Sequence, residues 1–147
     1  MNPNRRQVVQ TFAISAGSLA VLGACAPSVI RSGKREKIVD LASLKSDGTS
    51  VQFKYDNVQA VLVRTGKTLR TTEFSSVALV AYSMTCTHLG CVVNKPEASG
   101  QTVCGCHGSR FAADGSVIDG PAKTALEAIK LEVVDGVVFA VGWIDTK

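Results

Sequence analysis

The sequence predicts an all-β domain behind a separate N-terminal segment, and three features of the pattern support that expectation. Alternation appears in Val51-Gln52-Phe53-Lys54-Tyr55, with the period of a half-buried strand. Short apolar runs rich in Val, Ala60–Arg64 and Val77–Tyr82, have the length of buried strands. Turn residues punctuate the chain every ten residues or so. Among them, Asp135-Gly136 between Val133-Val134 and Val137-Val138 is the signature of a two-residue hairpin loop whose central residues take positive φ. Gly66-Lys67 is a further turn signal, and Thr124–Lys130 is the one stretch that reads as a helical turn, too short to stand alone. There is no internal repeat.

Taken in chain order, residues 1–30 form an export signal or membrane anchor. Asn4-Arg5-Arg6-Gln7-Val8-Val9 resembles a twin-arginine signal, although Val8, Val9 and Gln10 depart from the usual Phe-Leu-Lys. Leu22-Gly23-Ala24-Cys25 resembles a bacterial lipobox, in which cleavage leaves Cys25 as a lipidated N-terminus. The alternative is an uncleaved anchor. The uncharged run from Gln7 to Ile30 would reach about 36 Å as a helix, enough for a bilayer, though its polar residues make a poor span. Residues 31–37, Arg-Ser-Gly-Lys-Arg-Glu-Lys, read as a charged solvated linker. Residues 38–147 form the β domain, with its metal-binding part at about 84–122.

Composition narrows the function. The chain has 147 residues, enough for one small domain and an appendage. Its net charge of +4 is accounted for by Arg5, Arg6 and the basic residues of 31–37, leaving the body near neutral. Aromatic residues make up only 5%. A nucleic-acid surface, which needs a basic stripe with interleaved aromatics, is not expected. Four of the five Cys and both His lie between Cys86 and His107. Such clustering reads as a metal site, a disulfide framework, or both.

Two segments carry the chemistry, Cys86-Thr87-His88-Leu89-Gly90-Cys91 and Cys104-Gly105-Cys106-His107-Gly108-Ser109. Each offers a Cys and a His at short range. Together they supply the two thiolates and two imidazoles of a [2Fe-2S] cluster with one Cys₂ iron and one His₂ iron. Neutral imidazoles in place of two thiolates remove negative charge and raise the reduction potential. The same ligand types also suit a structural zinc, which would make the chain a zinc- and disulfide-stapled binding module. Zinc leaves Cys91, Cys106 and the Gly-rich loops unexplained.

The paired segments resemble the cluster boxes of the Rieske iron–sulfur proteins. The likeness extends through Gly115–Val117 to Gly120-Pro121-Ala122, similar to the family's proline loop, and covers about Val58 to Gly142. It implies a Rieske-like antiparallel β-sandwich with a cluster-binding subdomain and one [2Fe-2S] cluster per chain. Cys86 and Cys104 would bind the buried iron. His88 and His107 would bind the outer iron and meet the electron donor. Cys91 and Cys106 would form a disulfide between the loops, which places the chain with the cytochrome bc-type branch and requires an oxidising compartment. Ser109 would donate a hydrogen bond to a bridging sulfide. Phe111 stands where relatives of highest potential carry Tyr, which fits a lower-potential donor such as menaquinol. Leu89 resembles the apolar shield over the cluster, and Trp143 reads as a core or rim aromatic.

The function so implied is electron transfer as the iron–sulfur subunit of a quinol-oxidising complex, not a stand-alone enzyme. Its partners would be a cytochrome b or other membrane oxidoreductase subunit, a c-type cytochrome acceptor and possible quinol. The site would be the periplasm or the outer face of the cytoplasmic membrane. The alternative within the same chemistry is the small relay subunit of a periplasmic oxidoreductase similar to arsenite oxidase.

Overall fold

The computed structural model describes residues 30–66, 72–74 and 77–144. Arg5, Arg6 and Cys25, with the export and lipidation readings that rest on them, lie outside the described residues. Ten strands follow in order: β1 Ile30–Asp40, β2 Ser50–Tyr55, β3 Val58–Thr65, β4 Thr72–Phe74, β5 Val77–Ser83, β6 Thr102–Val103, β7 Arg110–Phe111, β8 Val117–Asp119, β9 Ala128–Val134 and β10 Val137–Ile144. A 3₁₀ turn, Leu41–Ser43, follows β1. There is no α-helix among the described residues, and Thr124–Lys130 is an extended approach into β9.

All pairings between the strands are antiparallel. The large sheet runs β1-β10-β9-β5-β3-β2, with β4 also paired to β5, and a small sheet runs β6-β7-β8. The large sheet curls until its two end strands, β1 and β2, touch. At that meeting Gly33 lies against the Tyr55 ring, where an added Cβ would come within 1.9 Å of Tyr55 Oη.

Two tight hairpins set the registers. Val134 opposes Val137 around Asp135 and Gly136, whose φ values are +50° and +74°. This is the two-residue loop expected from Asp-Gly. Tyr55 opposes Val58 around Asp56 and Asn57, with φ of +47° and +66°. Here Asp-Asn plays the same part, since both types tolerate left-handed backbone better than most.

Strands β3 and β5 are buried on both faces, and this determines where the site can form. Ala60, Leu62, Leu79 and Ala81 point into one apolar core with Ile129, Leu131, Val138 and Trp143. Their neighbours Val61, Val63, Val80 and Tyr82 point the other way, into a second core with Met84, Cys86, Val93, Cys104, Phe111, Ala122 and Leu126. Because side chains alternate along a strand, two covered faces produce the continuous apolar runs seen in the sequence. The second core is the floor beneath the Cys/His segments.

One expectation needs correction. Residues 31–37 are not a linker: they belong to β1, paired with β10 from Arg31 opposite Trp143 to Lys37 opposite Phe139. An edge strand tolerates such charges on its faces, and they discourage further pairing along its edge. Arg35 lies 4.1 Å over the Phe139 ring and 3.7 Å from the Glu132 carboxylate, so its side chain covers the sheet as well as facing water.

Candidate metal centre

The two Cys/His segments fold into loops of the same design. In the first, Cys86 N–H donates to Cys91 O at 2.7 Å and Gly90 N–H donates to Cys86 O at 2.8 Å. In the second, Cys104 N–H donates to Ser109 O at 2.8 Å and Gly108 N–H donates to Cys104 O at 2.9 Å. Each loop thus starts at a Cys and turns back through a Gly four residues later. Gly90 and Gly108 have φ of +78° and +75°. No atom crowds the space a side chain would fill there, so the backbone angle is what calls for glycine.

The loops are tied to each other and to the sheet. Cys91 and Cys106 form a disulfide with Cα atoms 6.6 Å apart, the bond that the resemblance implied. The first loop is closed at its base by a bridge between Thr85 and Val92 and by Val93 N–H donating to Met84 O at 2.8 Å. Thr102 Oγ1 donates to Asn94 O, binding the second loop's entry strand to the segment between the loops.

A third segment, Gly120–Thr124, closes over them. Thr87 Oγ1 donates to Thr124 O at 2.6 Å, and Ala122 N–H donates to Ser109 Oγ at 3.1 Å. Arg110 and Asp119 pair at 3.1 Å, an exposed contact that adds little stability but lies at the entry to this segment. Pro121 is half-buried within it. Thr87 was not singled out by sequence reasoning. Its partner is 37 residues away, and nothing in local spacing announces such a bond.

Cys86 and Cys104 are free thiols, 3% and 1% exposed, in the apolar floor. His88 is half-buried and His107 exposed. Their rings stand edge to face with centroids 4.8 Å apart. His88 Nδ1 is buried without a hydrogen-bond partner among the described residues. A buried polar nitrogen left unpaired is costly unless something else engages it, and a metal ion would do so. Two buried thiols and two imidazoles at the rim are the donor types that a mixed-ligand iron–sulfur cluster requires. Cys104 Sγ also lies near the sulfurs of Cys91 and Cys106. That trio is not a metal site, because two of its sulfurs are bonded to each other.

Ser109 is fully buried, and Phe111 packs in the floor with both free thiols. Ser109 Oγ accepts from Ala122, and no other hydrogen bond reaches it among the described residues, so its own proton remains available to a further acceptor. Leu89 is 69% exposed at the rim. Trp143 belongs to the other core, donating Nε1–H to Asp56 Oδ2 at 2.9 Å, away from the metal centre.

Fold and site together define an all-β iron–sulfur electron-transfer domain. Residues 35–130 match the family described as Rieske [2Fe-2S] domain. The chain is 29% identical over 140 residues to the cytochrome b6-f complex iron-sulfur subunit of Chlorobaculum tepidum, covering 90% of this chain and 72% of that protein. It is 36% identical over 101 residues to the chloroplastic cytochrome b6-f complex iron-sulfur subunit of Oryza sativa subsp. japonica, covering 69% of this chain but only 41% of the rice protein. Among solved structures, the cyanobacterial plasma membrane Rieske protein of Synechocystis PCC 6803 aligns with a TM-score of 0.59 and 31% identity, over 71% of this chain and 97% of that one. The soluble domain of Rieske protein II from Sulfolobus acidocaldarius, 22% identical, shares the fold with a TM-score of 0.58 over 76% of this chain and 78% of that one. The chain belongs to the Rieske [2Fe-2S] family, and its cofactor is a [2Fe-2S] cluster.

The inter-loop disulfide spans 15 residues, a length for which the chain-entropy model gives about 3 kcal/mol. Cys91→Ser is expected to keep the cluster at assembly but to melt earlier and lose its visible absorption faster on standing. Unchanged melting and cluster lifetime would mean that the bond contributes nothing to holding the loops.

Proposed function

We propose that this chain transfers single electrons as the iron–sulfur subunit of a quinol-oxidising, cytochrome bc-type complex, with its [2Fe-2S] cluster held by Cys86 and Cys104 on the inner iron and by His88 and His107 on the outer iron. The asymmetry of the site is the observation that carries this reading: both free thiols sit in the apolar floor, whereas the imidazoles stand at the rim. A partner therefore meets the histidine side. Family membership and the disulfide favour iron over the zinc alternative.

When bound, the cluster supplies a one-electron couple. The protein does the rest. His107 and Leu89 are both exposed, so the two loops offer a donor a polar and an apolar contact. With His88 Nδ1 turned inward, Nε2 is the nitrogen left to take a proton from the donor. Phe111, Val93 and Leu126 keep water from the thiol side. The Ser109 hydroxyl proton, not engaged by the hydrogen bond from Ala122, would favour the reduced, more negative state if donated to the bound cluster.

The protein partner is a cytochrome b, by analogy with relatives named as cytochrome b6-f complex subunits. The acceptor is a c-type cytochrome, and the donor a quinol of lower potential such as menaquinol, since Phe111 offers no hydroxyl. The domain works on the outer face of the cytoplasmic membrane after twin-arginine export through Arg5 and Arg6, and Cys25 anchors it as a lipidated N-terminus. A mature mass starting at Cys25 and raised by acyl groups supports that anchor; an intact chain from Met1 contradicts it.

The reduced protein is expected to give a rhombic low-temperature EPR signal with an average g below that of all-Cys clusters, because its two irons differ in ligands. His88→Ala and His107→Ala should each abolish it. Stoichiometric zinc with no signal, or a cluster retained in either variant, contradicts the assignment.

Ser109 and Phe111 test the site without touching a ligand. Ser109→Ala removes a bond that favours the reduced state, so the midpoint should fall. Phe111→Tyr adds a hydroxyl within the floor, so the midpoint should rise. A hydrogen bond to a charged group contributes roughly 1.5–3 kcal/mol to the state it favours, and about 1.4 kcal/mol corresponds to 59 mV for one electron. Only the difference between the two states is read, which predicts shifts of several tens of millivolts by voltammetry. An unmoved midpoint in Ser109→Ala, or a lowered one in Phe111→Tyr, would sink these roles.

A further inference from the structure

We propose that Cys104, whenever it carries no iron, is the nucleophile of an internal thiol–disulfide exchange that replaces the Cys91–Cys106 bond by a Cys91–Cys104 bond. The inference rests on the reading of Cys104 as an iron ligand. Three sulfurs meet between the loops: the Sγ atoms of Cys91, Cys104 and Cys106 all lie within 4.8 Å of one another. Two of them are bonded, and the third is a free thiol. A thiolate placed beside a disulfide attacks one of its sulfurs through a simple displacement. Cys86, the other free thiol, is not part of this group.

The surroundings select the sulfur that is attacked. Cys104 and Cys106 sit in one closed turn, fixed by the Cys104 N–H···O Ser109 and Gly108 N–H···O Cys104 hydrogen bonds. A bond between these two would close a small ring across Gly105 inside that turn. A bond from Cys104 to Cys91 keeps the loops joined, so attack falls on Cys91 Sγ. The Cys104–Cys91 bond forms, the Cys91–Cys106 bond breaks, and Cys106 leaves as a thiolate that takes up the proton Cys104 gave. One disulfide and one thiol stand on each side, so the step needs no oxidant or reductant. Cys104 is 1% exposed, whereas Cys106 is exposed. The free sulfur therefore moves from the apolar floor to the surface, where water solvates the departing thiolate.

Iron on Cys104 engages the electron pair that would attack, so a loaded chain keeps its native bond. A chain that loses its iron passes into a form in which Cys104 is tied up, and it must exchange back before iron can return to that sulfur. The trio thus slows reloading after cluster loss and favours an order of assembly in which iron reaches Cys104 before, or together with, closure of the Cys91–Cys106 bond.

The test follows the thiols, not electron transfer. The full loaded chain is stripped with an iron chelator under argon at about pH 8 without added thiol, and the released sulfide is swept out. Samples are quenched in acid, denatured and labelled with N-ethylmaleimide, and fragment-ion sequencing locates the label. In the stripped chain, label is expected to pass with time from Cys104 to Cys106 while Cys86 stays labelled throughout. The rate at which iron and sulfide rebind should fall in step and recover after treatment with dithiothreitol. The His88→Ala chain, isolated without cluster, should show the same labelling with no sulfide released. Label that stays on Cys104 in both overturns the exchange and leaves the ligand assignment intact. Label reaching Cys106 in the Cys104→Ser chain, isolated without cluster and incubated alike, identifies a different nucleophile and also overturns it. Equal passage in loaded and stripped chains overturns protection by iron, and with it the ligand assignment beneath the inference.

Discussion

The structure depends on keeping two loops, far apart in sequence, face to face over one apolar floor. Neither loop can complete the site alone, since each supplies one free Cys and one His. The floor is the outer face of β3 and β5, with Val61, Val63, Val80 and Tyr82 packed under Cys86, Cys104 and Phe111. Burial of this apolar surface is the driving force that brings the loops down. The Cys91–Cys106 bond then fixes one loop against the other. The segment Gly120–Thr124 bonds to each loop once, through Thr87 and Ser109.

The two cores divide the labour. The inner core, with Leu62, Leu79 and Trp143, stabilises the curled large sheet and contains no site residue. The outer core includes Cys86 and Cys104 themselves. Changes at Leu62 and at Phe111, both fully buried, are each felt as stability, but only Phe111 shares a core with Cys86 and Cys104. Polar groups within the outer core are few and placed. Ser109 is one of them, with its oxygen engaged by Ala122 and its proton left over. A buried hydroxyl in that state needs an acceptor, which links the packing argument to the potential.

Much of this was legible in the sequence, for physical reasons that differ by element. The strands were readable because period-2 alternation and two-sided burial leave distinct marks, as in Val51–Tyr55 and Val77–Tyr82. The Asp135-Gly136 hairpin was readable because few residue pairs accept positive φ twice; the Asp56-Asn57 hairpin uses the same device with a weaker signal. The paired loops were readable because metal ligands must be near one another, and all four candidates fall within a short stretch. What escaped was tertiary. The charges of 31–37 describe water on one side of β1 but not β10 on its edge. The Thr87–Thr124 bond joins residues with no local relation. The crowding of Cys104 against the disulfide emerges only once both loops are folded.

The central claim is that both imidazoles and both free thiols bind the same cluster. The chain has only two histidines, so uniform ¹⁵N-histidine labelling marks His88 and His107 and nothing else. Electron–nuclear double resonance on the reduced, labelled protein should then show two strongly coupled ¹⁵N nuclei, reduced to none when either histidine is replaced and the cluster is lost. A single coupled nitrogen, or an intact cluster signal with no ¹⁵N coupling, would contradict the account.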